Sequence, residues 1–212
     1  MSDPAARYSS VPGSVALQPV VAGPATTTDA AQGAPAGGGE GRKPVCLVGM
    51  MGAGKTTLGR QLAAALERPF VDLDQALEAR CGVRVATIFD IEGEAGFRRR
   101  ETAILDEYTR QFDLVLATGG GAVLAPENRE MLRTRACVIY LQAEAHELYQ
   151  RVARDRNRPL LQTEDPQGRI VALLEQREPL YAEVAHITVA TGRQPASQIL
   201  RRLVAQLGGP PT

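Results

Sequence analysis

Between Gly49 and Thr57 the chain reads GMMGAGKTT, with Gly49, Gly54, Lys55 and Thr56 at the fixed positions of GxxxxGK[ST]. That spacing suits one chemistry, the holding of a nucleoside triphosphate. Glycines let successive backbone N–H groups curl round a phosphate, and the N-terminus of a following helix adds partial positive charge. Lys55 is placed to reach the β and γ phosphates, and the Thr56 hydroxyl to meet Mg²⁺. A glycine-rich turn with an exposed lysine is the plainer alternative. Against it, the apolar run PVCLVG leads into the loop and a helical period follows it.

A loop of this kind also needs a carboxylate on the metal side, usually at the C-terminal end of another strand. The strand-like DLVLATGGG ends in glycines, and its Asp113 lies at the wrong end. Asp72 and Asp74 in FVDLDQALEAR are the candidates instead. If the strand persists that far, its period of two turns both to one side, at the edge where open α/β sheets bind ligands. One would face the water shell of Mg²⁺ while the other accepts a hydrogen bond from a substrate hydroxyl. The plainer reading makes Asp74 the cap of the next helix. In EGEAGFRRRE, the spacing of Glu94, Arg98 and Glu101 places them on one helical face. They form either a surface salt-bridge ladder or a guanidinium fork held ready for a planar anion such as a carboxylate, and spacing fits both. Gly119, Gly120 and Gly121 follow a strand end, where missing Cβ atoms admit a ligand to backbone N–H groups or simply allow a tight turn. Arg158 and Arg177 are two more cations, each either an anion partner or a solvated charge.

The elements that must position these groups follow from periodicity. Short apolar runs at 44–49, 69–74, 114–118, 136–141 and 186–190 read as strands. They are nearly continuous and rich in β-branched residues, as strands buried on both faces should be. Helical periods lie near 55–66, 74–80, 84–109, 126–133, 143–154, 167–184 and 195–207. The alternation predicts an α/β fold, a parallel sheet wrapped by helices. The segment RDRNRPLLQTEDPQ, at about 154–167, has no period and reads as a mobile surface flap. Residues 1–41 are mostly Ala, Gly, Pro, Ser and Thr and read as a disordered tail, leaving 42–212 as one domain. A processed targeting segment is the weaker reading there, since the stretch is poor in arginine and forms no amphipathic helix.

Composition narrows the function class. Twenty-four basic and 24 acidic residues cancel, which argues against a nucleic-acid or anionic-membrane partner and makes phosphate binding a local matter. Three scattered cysteines, Cys46, Cys81 and Cys137, fit neither a disulfide framework nor a zinc site, and Cys46 and Cys137 sit in apolar runs as buried thiols. No apolar stretch reaches a membrane-spanning length, so a cytoplasmic protein is expected.

Taken together, GMMGAGKTTLGR, DLDQALE, IFDIEGEAGFRRRE, TGGGAV, NRPLL and REPLY make the chain resemble the shikimate kinases from about Pro44 to Leu207. The resemblance implies a P-loop kinase fold, with a five-stranded parallel sheet in the order 2-3-1-4-5 and a mobile lid. It also implies transfer of phosphate from ATP to the 3-hydroxyl of shikimate, giving shikimate 3-phosphate and ADP, in the pathway to chorismate and the aromatic amino acids. Carried over, Gly52, Ala53, Gly54, Lys55, Thr56 and Thr57 would bind ATP, with Thr56 on Mg²⁺ and Asp72 reaching the ion through water. Asp74 would orient the attacking hydroxyl or accept its proton. Arg98 and Arg177 would grip the shikimate carboxylate with Glu101 positioning them, and the turn of Gly119, Gly120 and Gly121 would contact substrate. Arg158 would close over the phosphates from the lid, and Arg193 or Gln194 would lie near adenine. A monomer is expected. A related gluconate kinase and a ligand-sensing regulator with a kinase-like fold are the competing readings. The set of Asp74, Arg98 and Arg177 favours a hydroxylated ring acid over gluconate, while the presence of Lys55, Thr56 and Asp74 and the lack of an evident DNA-binding helix pair argue against the regulator.

Overall fold

The structure, a computed structural model, describes residues 41–153, 163, 165–192 and 194–208. These residues belong to one compact unit, Gly39–Thr212. The expected tail at 1–41 lies outside the described residues except for Gly41, as does most of the expected flap at 154–167.

Five parallel strands, β1 (Val45–Val48), β2 (Phe70–Asp72), β3 (Val115–Ala117), β4 (Cys137–Gln142) and β5 (Ile187–Ala190), form a single sheet in the order β2-β3-β1-β4-β5. The expected order is therefore observed. Strand β1 lies at the centre, with Cys46 opposite Leu116 on one side and Val138 on the other. All four of its residues are buried because helices cover both faces, which is why VCLV shows no polar alternation.

Helices return the chain between strands: α1 (Lys55–Leu66), α2 (Leu73–Cys81), α3 (Val85–Thr109), α4 (Pro126–Arg135), α5 (Ala145–Val152), α6 (Pro166–Val184) and α7 (Ala196–Gln206). Each buries a stripe at helical spacing, as with Leu58, Leu62 and Leu66 on α1. On α6 the buried stripe is Ile170, Leu173, Arg177, Tyr181 and Val184. An arginine inside an otherwise apolar stripe needs a buried anion or carbonyl to face it.

Two boundaries differ from the sequence expectation. Strand β2 ends at Asp72 and α2 begins at Leu73, so Asp72 and Asp74 do not share one extended strand. Asp72, and not Asp74, caps the helix: its side chain accepts from the backbone N–H groups of Asp74 and Gln75. The expected continuous helix at 84–109 is interrupted at Gly93, whose φ of 68° and ψ of −177° are open to glycine alone. Cys46 is wholly buried, but Cys137 is only partly so.

Candidate active site

The loop after β1 is shaped by three glycines with positive φ, Gly49 at 141°, Gly52 at 80° and Gly54 at 93°. Only residues without a Cβ adopt this sequence of turns without strain. Space is equally restrictive at Gly52, where a Cβ would lie 2.8 Å from Val152 Cγ1 on α5. Gly54 then begins α1, so the first N–H groups of the helix open toward the loop. Lys55 Nζ donates to the carbonyls of Gly49 (2.8 Å) and Met50 (3.0 Å), stretching its side chain back along the loop. Ala53 is buried, while Thr56 and Thr57 sit in the first turn of α1.

Thr56 Oγ1 donates to Asp72 Oδ2 at 2.8 Å. The other oxygen of that carboxylate caps α2, accepting from Asp74 N at 3.2 Å. Asp72 therefore ties the loop helix to the helix that carries Asp74.

Beyond β3 the three glycines run beside the charged side chains. At Gly119 a Cβ would come within 2.6 Å of Glu101 Oε1 and 3.2 Å of Asp74 Oδ1, so the two carboxylates flank that residue. At Gly121 it would run into the Arg98 guanidinium, with Cζ at 2.6 Å. Gly120 touches the loop itself: its Cβ position lies 3.4 Å from Met51 N and 3.8 Å from Arg177 Nη1. The glycines thus make room mainly for the protein's own side chains.

Arg98 donates to Glu101 Oε2 at 2.6 Å and to Glu94 Oε1 at 3.2 Å. Glu101 is only 2% exposed, and this excludes the surface-ladder reading. Burial pushes the Glu101 carboxyl up. Arg98 pulls it back, Asp74 pushes it further up, and Arg177 pulls it down. For Arg98, burial acts to lower the pKa, but Glu101 and then Glu94 more than offset it and the net direction is upward. Arg177, 3% exposed, donates from Nη1 to the Gly120 carbonyl at 3.3 Å. Arg98 Nε, Glu101 Oε1 and Arg177 Nε are buried without a hydrogen-bond partner among the described residues. Three orphaned polar atoms in one place mark a site built for a polar guest.

The Asp74 carboxylate, the Arg98 and Arg177 guanidiniums and the glycine-rich loop therefore converge at the carboxyl ends of β1, β2 and β3. Of the other expected residues, Gln194 lies exposed in the turn between β5 and α7, while Arg158 and Arg193 fall outside the described residues. Two contributors went unforeseen. Arg151 on α5 donates to the Gly52 carbonyl at 3.2 Å, and the Tyr181 hydroxyl donates to the Gly120 carbonyl. Nothing in the sequence pointed to Arg151, whereas Tyr181 falls four residues after Arg177 and so on the same helical face.

A profile of the shikimate kinase family matches residues 51–208. The chain belongs to the shikimate kinase family. Relatives within it include the shikimate kinase of Bordetella pertussis, 60% identical over 77% of this chain and 78% of its own. That of Ralstonia nicotianae is 55% identical over 77% of this chain and 86% of its own. A solved shikimate kinase from Acinetobacter baumannii, in complex with shikimate, is 46% identical with a TM-score of 0.75, covering 78% of this chain and 93% of that one. A gluconokinase from Sinorhizobium meliloti, 19% identical with a TM-score of 0.53 over 78% of this chain and 91% of its own, shares the fold alone. The activity of this shikimate kinase chain is ATP-dependent phosphorylation of shikimate, a step of aromatic amino acid biosynthesis.

Proposed function

We propose that the residues around the triple glycine and the phosphate loop divide the reaction between them. The observation that carries this reading is the convergence of Asp74, Arg98, Glu101 and Arg177 on Gly119, Gly120 and Gly121, with Gly120 against the loop backbone. The loop from Gly52 to Thr57, with Arg158 and with Arg193 or Gln194, holds ATP. Arg98 and Arg177 grip the shikimate carboxylate by charge-assisted hydrogen bonds, and Glu101 holds the Arg98 fork in place. Asp74 fixes the 3-hydroxyl for in-line attack on the γ-phosphorus. Because the transition state is loose, positioning and charge neutralisation by Lys55 and Arg158 matter more than strong base catalysis. Closure of the segment at about 154–167 excludes water, which otherwise competes as acceptor.

Thr56 and Asp72 offer a hydroxyl and a carboxylate 2.8 Å apart, the hard oxygen donors that Mg²⁺ takes. Among the described residues no group of three His, Cys, Asp or Glu forms a full protein cage, so the ion would complete its shell with water and phosphate oxygens. When bound it would neutralise charge on the β and γ phosphates. Three free cysteines support a reducing, cytoplasmic setting, and a monomer is the proposed assembly state. Among the described residues no helix is long and apolar enough to cross a membrane.

The test is ADP release by purified protein offered ATP with shikimate, quinate or gluconate. Turnover that depends on shikimate, and is much weaker with the other two, is expected. Folded protein that turns over gluconate faster, or that releases no ADP with shikimate, overturns the assignment.

A further inference from the structure

Tyr181 is a buried aromatic that the reaction scheme leaves unused. Its ring is fully enclosed and stacks on Tyr140, with centroids 5.1 Å apart. Its hydroxyl donates to the Gly120 carbonyl, the same oxygen that receives Arg177 Nη1 at 3.3 Å. Phenol and guanidinium thus converge on one carbonyl oxygen, and the Arg177 charge acts on the phenol to pull its pKa down against burial. Burial pushes the phenol far up, and it remains a protonated donor at neutral pH. A trans peptide sets the Gly121 N–H antiparallel to the Gly120 carbonyl. Pinning that carbonyl toward α6 therefore aims the N–H away from α6. Without the phenol, the carbonyl keeps, among the described residues, only the longer bond from Arg177.

We infer that Tyr181 is a positioning residue whose hydroxyl locks the Gly120–Gly121 peptide and the Arg177 fork into one preformed receptor for the acceptor's carboxylate. This rests on the carboxylate-clamp reading of Arg98 and Arg177.

The experiment is steady-state kinetics of Y181F, with Y140F and R177A alongside, each substrate varied in turn. Y181F keeps the ring and removes one hydrogen-bonding group. We expect the shikimate KM to rise about fivefold to fiftyfold, with the ATP KM and kcat within about twofold of the parent. Y140F removes a hydroxyl that is buried without a partner among the described residues, and its shikimate KM stays at the parent value. A Y181F shikimate KM within about twofold of the parent, or an equal rise in both KM values, overturns the inference. If R177A also leaves the shikimate KM unchanged, the clamp reading itself fails. If R177A raises it and Y181F does not, only the role of Tyr181 falls. Should Y181F not fold, the parent decides by NMR with carbonyl-labelled glycine. The Gly120 carbonyl resonance then moves on addition of shikimate but not of ADP, and a resonance indifferent to shikimate overturns the inference.

Discussion

Replacing Gly121 by alanine tests whether the glycine turn exists to admit Arg98. The backbone there, φ −100° and ψ 0°, is open to any L-residue, so the substitution introduces no dihedral strain. The added methyl, however, would lie 2.5 Å from Arg98 Nη1 and 2.6 Å from Cζ. A free arginine would swing aside at little cost. This one is held at 2.6 Å by a buried Glu101 and at 3.2 Å by Glu94. Moving it sacrifices at least one charge-assisted hydrogen bond, about 1.5–3 kcal/mol, which corresponds to roughly a 10- to 150-fold loss in kcat/KM for shikimate. The same substitution at Gly120 meets no protein atom closer than 3.4 Å. The assay is a double-mutant cycle of G121A and R98A by coupled ADP detection. If the methyl acts through the guanidinium, the double variant is no worse than R98A alone. Strictly additive losses would refute the reasoning and return Gly121 to a simple turn.

Asp72→Ala should raise the KM for ATP and for shikimate together, because one carboxylate both accepts from Thr56 and caps the helix bearing Asp74; the lost cap also lowers stability by about 1 kcal/mol. Kinetics with each substrate varied check this, and an effect confined to one substrate contradicts it. Asp106 receives Arg110, the residue that ends its own helix, and Arg135 on α4, which hold its carboxyl at about 2 against an ordinary 3.8. With the folded pKa depressed, its contribution is present above about 3.8 and is lost as pH falls toward 2. The difference in Tm between the parent and D106N should therefore narrow between pH 6 and pH 3, and a gap independent of pH contradicts the ion-pair account.

The phosphate loop was legible because glycine spacing, the preceding apolar run and the helical period all pointed one way. The end of β2 was misread because FVDLD goes on alternating after the strand has stopped. The overlooked sign was Gln75 three residues after Asp72, the spacing of a capping box. Gly93 inside EGEAG likewise announced the break in α3, which helical periodicity alone passes over. The Glu94, Arg98 and Glu101 spacing could not distinguish ladder from clamp, since burial of Glu101 depends on the glycine turn after β3 folding over it. Arg151 was illegible for the same reason: its partner, Gly52, lies 99 residues away.

The double use of Asp72 bears on how donor and acceptor affinities can vary. The residue is a shared pivot, one oxygen on the nucleotide side and the other at the root of the helix that presents Asp74. Under the proposed division of roles, a change that re-aims its carboxylate to suit a different metal or nucleotide would also re-aim the helix that carries Asp74. Selection acting on one substrate is thereby felt by the other, and a variant with altered donor preference has to re-establish acceptor binding at residues distant from the phosphate loop.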